Sequence, residues 1–328
     1  YNDLETVIKG PGGPYLVDGR IIRFEAQHDK DVRVTLEEAG PVRATIRAEG
    51  WYVSGEARVE PLCMFVTRIS AFAGQPMLRI THHTIITYDT RQYWLADAGF
   101  TVASQIGERF RLGADGVEHG GKLPPGKGSV WLHQERYDRF RLVGAAPKPI
   151  EGKVSDGWFS VRGGRPEEPE LGVALRDIWQ KFPKEVEMSR DGITLHFWPV
   201  HGRRAFSPEE ELDLRNIYKF WCFHQGPLLD LRLPNDYFEK FRDDYASGTF
   251  ECRPEHALNG NARGVVIAND FAVFISDPER AGELPRRAAL LQRDPAARTT
   301  PEWNAATGAM GKVAPADRKH FAAMEEAV

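Results

Sequence analysis

Between Val32 and Thr87 apolar and polar positions alternate with few breaks, through VRVTLEE, AGPVRATIRAEGW and MFVTRISAFAGQPMLRITHHTIITY. Successive side chains of a strand point to opposite faces, so this period predicts half-buried β-strands. Val42, Ala44, Ile46 and Ala48 are expected to face a core, and Arg43, Thr45, Arg47 and Glu49 to face out. The breaks fall at Gly-Pro, Gly-Trp and Gly-Gln-Pro, which are turn chemistry. The fold class expected is mainly β: a large antiparallel β-sandwich of the supersandwich type, with a short helical C-terminal segment.

The rest of the chain extends this picture. YLVDGRIIRFEA suggests a hairpin through Asp18-Gly19, and Asp191-Gly192 separates two further alternating runs. FTVASQI, GERFRLG, SVWLHQERYDRFRLVG and GWFSVRGG read as short strands, and VEHGGKLPPGKG as a loop. Ser207-Pro208-Glu209-Glu210 is a capping-box sequence with Pro at the first helical position, predicting one helical turn before a strand in NIYKFWCFHQG. Beyond Ser276 the chain becomes rich in Ala, Arg and Glu and reads as helical to irregular. Three segments are expected: residues 1–24 as a linker or the remnant of an N-terminal β domain, 25–260 as the sandwich, and 261–328 as the irregular to helical segment.

Composition narrows the classes. The 328 residues suffice for one large or two ordinary domains. No apolar run approaches the length of a membrane span, which argues against a membrane partner. A net charge of −4 gives no electrostatic case for nucleic acid. Cys63, Cys222 and Cys252 lack metal-ligand spacing and read as buried free thiols. No signal peptide is visible, but both ends of the chain look cut, so the compartment stays open.

Among motifs with chemistry, HExxH, GxSxG, the P-loop and the dinucleotide fingerprint are missing. The densest candidate is His196-Phe197-Trp198-Pro199-Val200-His201-Gly202-Arg203-Arg204. Alternation puts His196 and Trp198 on one face, and Pro199 ends the ladder. His201, Arg203 and Arg204 then fall at a strand end, where an imidazole can exchange a proton and a guanidinium can clamp a carboxylate. A second group is Asn216, Tyr218 and His224, the last two sharing a stripe with Phe220 and Cys222 that also suits a core. In His82-His83, His82 is expected to point inward as a satisfied core histidine. His83 shares the outer face with Arg79 and Thr81, a mixture of Arg, Thr and His that suits contact with sugars. Trp94, Trp131 and Trp158 lie near strand ends, where an aromatic face could stack on a sugar or simply fill the core.

LEEAGPVRATIRAEGW, RISAFAGQPMLRITHHTI, GVALRDIWQKFPKEVEMSRDGITLHFWPVHG and NIYKFWCFHQG together resemble the central β-sandwich of the rhamnogalacturonan exolyase family of polysaccharide lyases. TGAMGKVAPADRKHFAAMEEA resembles the lead-in to that family's helical part. The resemblance covers roughly residues 25–325. It implies an N-terminal β-barrel, this sandwich and a C-terminal α/α toroid, of which this chain would hold the sandwich and only part of the active site. It also implies β-elimination on an acidic polysaccharide or oligosaccharide of the rhamnogalacturonan or pectin type. His201, His224, Tyr218 and Arg204 are then the catalytic candidates. Arg203, Trp198, His83 and Asn216 are the substrate-binding ones. No cofactor or metal site is identified; a divalent cation such as calcium is an alternative to arginine at the uronate carboxylate. Two other classes stay open. One is a non-catalytic carbohydrate-binding sandwich. The other is a mutarotase-like epimerase, which needs a histidine and a carboxylate base on one face.

Overall fold

The computed structural model describes residues 12–56, 59–165, 167–199, 228–229, 231, 261–276, 282–292, 299–308, 311, 314–317 and 319–322. Among these residues, two nine-stranded antiparallel sheets form a β-sandwich. The first sheet runs, in spatial order, β13 (Ile150–Gly152), β12 (Arg139–Val143), β11 (Val130–Arg136), β16 (Lys184–Ser189), β17 (Gly192–Trp198), β8 (Leu95–Ala103), β1 (Gly13–Asp18), β2 (Arg23–Glu25) and β5 (Val53–Ser54). The second runs β10 (Val117–Lys122), β9 (Arg109–Ala114), β14 (Ser155–Arg162), β15 (Glu170–Leu175), β18 (Val266–Ser276), β7 (Met77–Ile86), β6 (Cys63–Phe72), β4 (Arg43–Trp51) and β3 (Arg33–Ala39).

The inward-facing residues of both sheets interdigitate in one core. Val102, Leu132, Val186 and Leu195 of the first sheet meet Phe110, Leu112, Phe159, Leu171 and Phe271 of the second. Phe100 and Phe271 touch edge to face across the interlayer space, 5.0 Å between ring centroids. A second cluster, with Leu16, Phe24, Tyr52, Phe65 and Trp198, fills the space beside β1, β2 and β5.

Alternation in β4 keeps the expected parity but not the expected burial. Leu36, Ile46, Ile69 and Ile80 pair side by side across four strands. Their exposure climbs outward, from 5% at Ile80 through half-buried Ile69 to 45% at Ile46 and 64% at Leu36. Val42 is likewise exposed, whereas outward Thr45 is buried and hydrogen-bonded to Ser70 at 2.9 Å. The core ends before the sheet does, which a period of two cannot reveal.

The expected boundaries at residues 24 and 260 move outward in both directions. β1 is an interior strand between β8 and β2, so residues 13–25 belong to the sandwich rather than to a linker. β18 is an interior strand between β15 and β7, so the sandwich continues to Ser276. Helix α1 (Leu284–Gln292) then packs Leu284 and Ala288 on Trp158, Ala174, Ala272 and Phe274, on the outer face of the second sheet. Gln292 fastens its end, donating to the Leu175 carbonyl and accepting from the Asp177 amide. VEHGGK is a strand and not a loop: β10 pairs with β9 across the Asp115-Gly116 turn, its two glycines tolerated at the sheet edge.

Both predicted hairpins form, with connections at residues 19–22 and 190–191. The Asp18 carboxylate, almost fully buried, accepts from the Arg20 and Ile22 amides, and Arg190-Asp191 joins β16 to β17, with Gly192 as the first residue of β17. Residues 293–328 form a separate compact unit. Within it helix α2 (Pro301–Thr307) is capped by Thr300, which accepts from the Trp303 amide, and by left-handed Gly308. Among the described residues, no helix is long and apolar enough to cross a membrane.

Candidate functional site: a buried titratable row on the first sheet

Five adjacent strands bring one residue each into a straight row. His133 on β11 stands opposite Glu185 on β16, Glu185 opposite His196 on β17, His196 opposite Gly99 on β8, and Gly99 opposite Tyr15 on β1. Their chain neighbours Leu132, Val186, Leu195 and Leu16 face the core, so the row lies on the other face of the sheet. Tyr15, Glu185, His133 and His196 are nevertheless almost fully buried, at 0–4% exposure.

Burial forces these groups to satisfy one another. His196 Nδ1 lies 2.9 Å from the Tyr15 hydroxyl and 3.0 Å from Asp97 Oδ1. Its Nε2 lies 3.3 Å from Glu187 Oε2 and 3.9 Å from Glu185 Oε1. His133 Nδ1 is 3.2 Å from Glu185 Oε2. Further along, buried Glu135 accepts from Arg139 Nε at 2.5 Å and lies 3.4 Å from Arg141 Nε. Gly99 makes the centre of the row possible. A Cβ there would stand 2.5 Å from the Leu195 carbonyl oxygen and 2.7 Å from the Tyr15 hydroxyl. The missing side chain is the gap through which the phenol reaches the imidazole.

Charge follows from these contacts. Burial disfavours an imidazolium, but hydrogen bonds and charge from Asp97, Glu187 and Glu185 outweigh it and push His196 up to about 10. His196 is therefore protonated on both nitrogens at neutral pH. Tyr15 is driven well above its ordinary value, first by burial and then by Asp97, so its phenol stays neutral. Arg23 covers the other side of that ring, with its guanidinium carbon 3.9 Å from the centroid.

A different histidine lies inside the core. His82 is fully buried, with Nε2 2.7 Å from the Tyr52 hydroxyl and Nδ1 2.8 Å from the Thr67 hydroxyl. Burial, aided by neighbouring His83, pushes it down to about 3, so it is neutral. This is the satisfied core histidine expected from alternation.

The sequence-derived candidates divide in two. His201, Arg203, Arg204, Asn216, Tyr218 and His224 lie outside the described residues, as do Cys222 and Cys252. Cys63 is a buried free thiol, pushed up to about 12 by burial. His83 is half-buried on the outer face of the second sheet, opposite Val66 and Ala268. Trp198 is 4% exposed among Leu16, Phe24 and Leu95. The expected common face of His196 and Trp198 does not form. A register shift between them turns Trp198 into the core while His196 keeps the outer face. Trp158 is also a core residue, under α1. Among the described residues no cluster of His, Cys, Asp and Glu has the arrangement of a metal site.

The row itself was missed. A two-residue turn at Arg190-Asp191 sets Ser189 against Gly192, and counting back along both strands sets Glu187 against Thr194 and Glu185 against His196. The Asp191-Gly192 signal would instead set Glu187 against His196, so the hairpin signal alone places the register two residues out.

Residues 19–110 match the family described as PcRGLX-like protein central beta sandwich domain. No curated protein is significantly similar in sequence. Among solved structures, a protein in the glycosyl hydrolase family 38 from Enterococcus faecalis aligns with 88% of this chain at 11% identity and a TM-score of 0.41. A protein designated an aldose 1-epimerase, from Klebsiella pneumoniae, aligns with 80% at 10% identity and a TM-score of 0.35. The chain spans 29% of the length of the first and 59% of the second.

Proposed function

We propose that this chain is the sandwich part of a polysaccharide lyase that cleaves a rhamnogalacturonan- or pectin-type polymer by β-elimination. The observation that carries the reading is the match of residues 19–110 to the PcRGLX-like, rhamnogalacturonan lyase-like central sandwich.

The reaction removes the C5 proton of a 4-linked uronate. The C5–H electrons form the C4=C5 double bond, and the C4–O4 bond breaks with its pair on O4, which takes a proton from an acid. The carboxylate must be neutralised for C5 to become acidic. In this proposal Arg204 and Arg203 hold that carboxylate, with a divalent cation such as calcium as the alternative. His201 exchanges the proton, with His224 and Tyr218 as further donors, and His83 and Asn216 contact sugar. The buried row acts as positioning machinery. Tyr15, Asp97, Glu185 and Glu187 anchor His196 in β17, and His201 follows His196 by five positions in the chain.

The test follows absorbance of the unsaturated uronate during incubation with rhamnogalacturonan and other uronate polymers. The chain is assayed by itself and within the longest polypeptide that contains it. A rise that is lost in His201→Ala supports the reading, and loss on chelation assigns the carboxylate to a cation. Absence of product from every polymer with both proteins discards it.

One observation favours a second reading. His196 stands beside Glu187, a half-buried carboxylate on the same sheet face, and a histidine with a carboxylate is the pair of residue types a sugar epimerase uses. Polarimetry of freshly dissolved α-aldoses separates the two. Acceleration of mutarotation without unsaturated product would select the epimerase.

A further inference from the structure

The chain crosses between sheets at Tyr52: Trp51 ends β4 in the second sheet and Val53 begins β5 in the first. An open cleft of about 610 Å³ lies at this corner, with Trp51, Asp29, Lys30, Asp31, Arg33 and Glu49 in its lining. Trp51 is 38% exposed there. A single exposed aromatic needs no explanation. An indole in a cleft, ringed by hydrogen-bonding side chains, has the make-up of a binding site.

The platform is held in place. The Trp51 amide donates to Asp29 Oδ2 at 2.7 Å, and the Asp31 amide donates to Asp29 Oδ1 at 2.9 Å. Asp29 thereby ties the loop after β2 to the end of β4. Gly50 leaves room for it, since a Cβ at that position would stand 2.5 Å from Asp29 Oδ2. Trp51 also begins an apolar row across the outer face of the second sheet: Met64, Ile85 and Val266 stand beside it in register on β6, β7 and β18.

We infer that this cleft binds a neutral pyranose unit of an oligosaccharide, stacked on Trp51. The apolar face of a pyranose matches an indole, and its vicinal hydroxyls match carboxylate and ammonium groups in one rim. Charge selects a neutral sugar over a uronate. Asp29, Asp31 and Glu49 stand with Lys30 and Arg33, and Glu49 is paired with Arg47 as well as with Arg33, which lies 3.6 Å from it. Three carboxylates balance three cations, so a sugar carboxylate would find no surplus positive charge in the rim. The site shares a carbohydrate partner with the lyase reading but stands on different residues, so either can fail alone.

The experiment is calorimetric titration of the whole chain with cello-, xylo- and galacto-oligosaccharides, and with oligogalacturonate. At least one neutral oligosaccharide should bind. Trp51→Ala should weaken it about tenfold, with a smaller loss in Trp51→Phe, which keeps an aromatic face. Asp31→Ala, at an exposed loop position, gives a second variant that should weaken binding without disturbing the sheet. No binding of any neutral oligosaccharide, equal binding by Trp51→Ala, or preference for oligogalacturonate would each overturn the inference. The absorbance assay for unsaturated uronate is unaffected by these outcomes.

Discussion

His82 and His196 are both buried imidazoles, and their surroundings move them in opposite directions. His82 has only hydroxyl partners and falls to about 3, while His196 has carboxylates and rises to about 10. Against an unfolded value near 6.5, the His196 contribution to stability is complete below about pH 6.5 and is lost as pH climbs toward 10. The His82 contribution is complete above about pH 6.5 and is lost as pH falls toward 3. Thermal melting across pH should show a maximum between these limbs. His196→Gln should flatten the alkaline limb, and His82→Gln the acid one. At the centre of the row, Gly99→Ala should cost about 1–3 kcal/mol through overpacking against the Leu195 carbonyl and the Tyr15 hydroxyl, measurable by urea denaturation.

At the scale of elements, period and turn chemistry carried most of the information. The runs on either side of Asp18-Gly19 and Asp191-Gly192 are strands because their alternation and their turn residues agree. What alternation could not show was which polar faces would be covered. Glu185, His196 and His133 have the spacing of solvent-facing residues, yet they are buried. Conversely, Leu36 and Ile46 have the spacing of core residues and lie beyond the core's edge. Coverage depends on elements far away in sequence, so no local window contains it. The bulge that separates His196 from Trp198 is equally silent, because one extra residue leaves no mark on composition. Helix α1 illustrates coverage directly. Leu284 is 1% exposed against the outer face of β14, β15 and β18, so Leu284→Ala should cost about 2–5 kcal/mol in chemical denaturation.

For the molecule as a whole, long-range pairing governs. β1 joins β8 and β18 joins β7 across long stretches of chain, and both are interior strands. A chain ending before Val266 would leave the long flanks of β7 and β15 unpaired, and exposed strand edges recruit other chains. Such a truncation should aggregate, seen as sedimenting protein on expression, while a chain ending after Gln292 should stay in solution. The interior place of β18 also bears on how the protein is made. Synthesis runs from the N-terminus, so seventeen of the described strands leave the ribosome before the one that completes the second sheet. Until Ser276 has emerged, the nascent chain carries a slot eleven residues long in the middle of a nine-stranded sheet. Completion of the sandwich therefore waits for Ser276, and its yield in a cell should depend on how well chaperones guard that open slot.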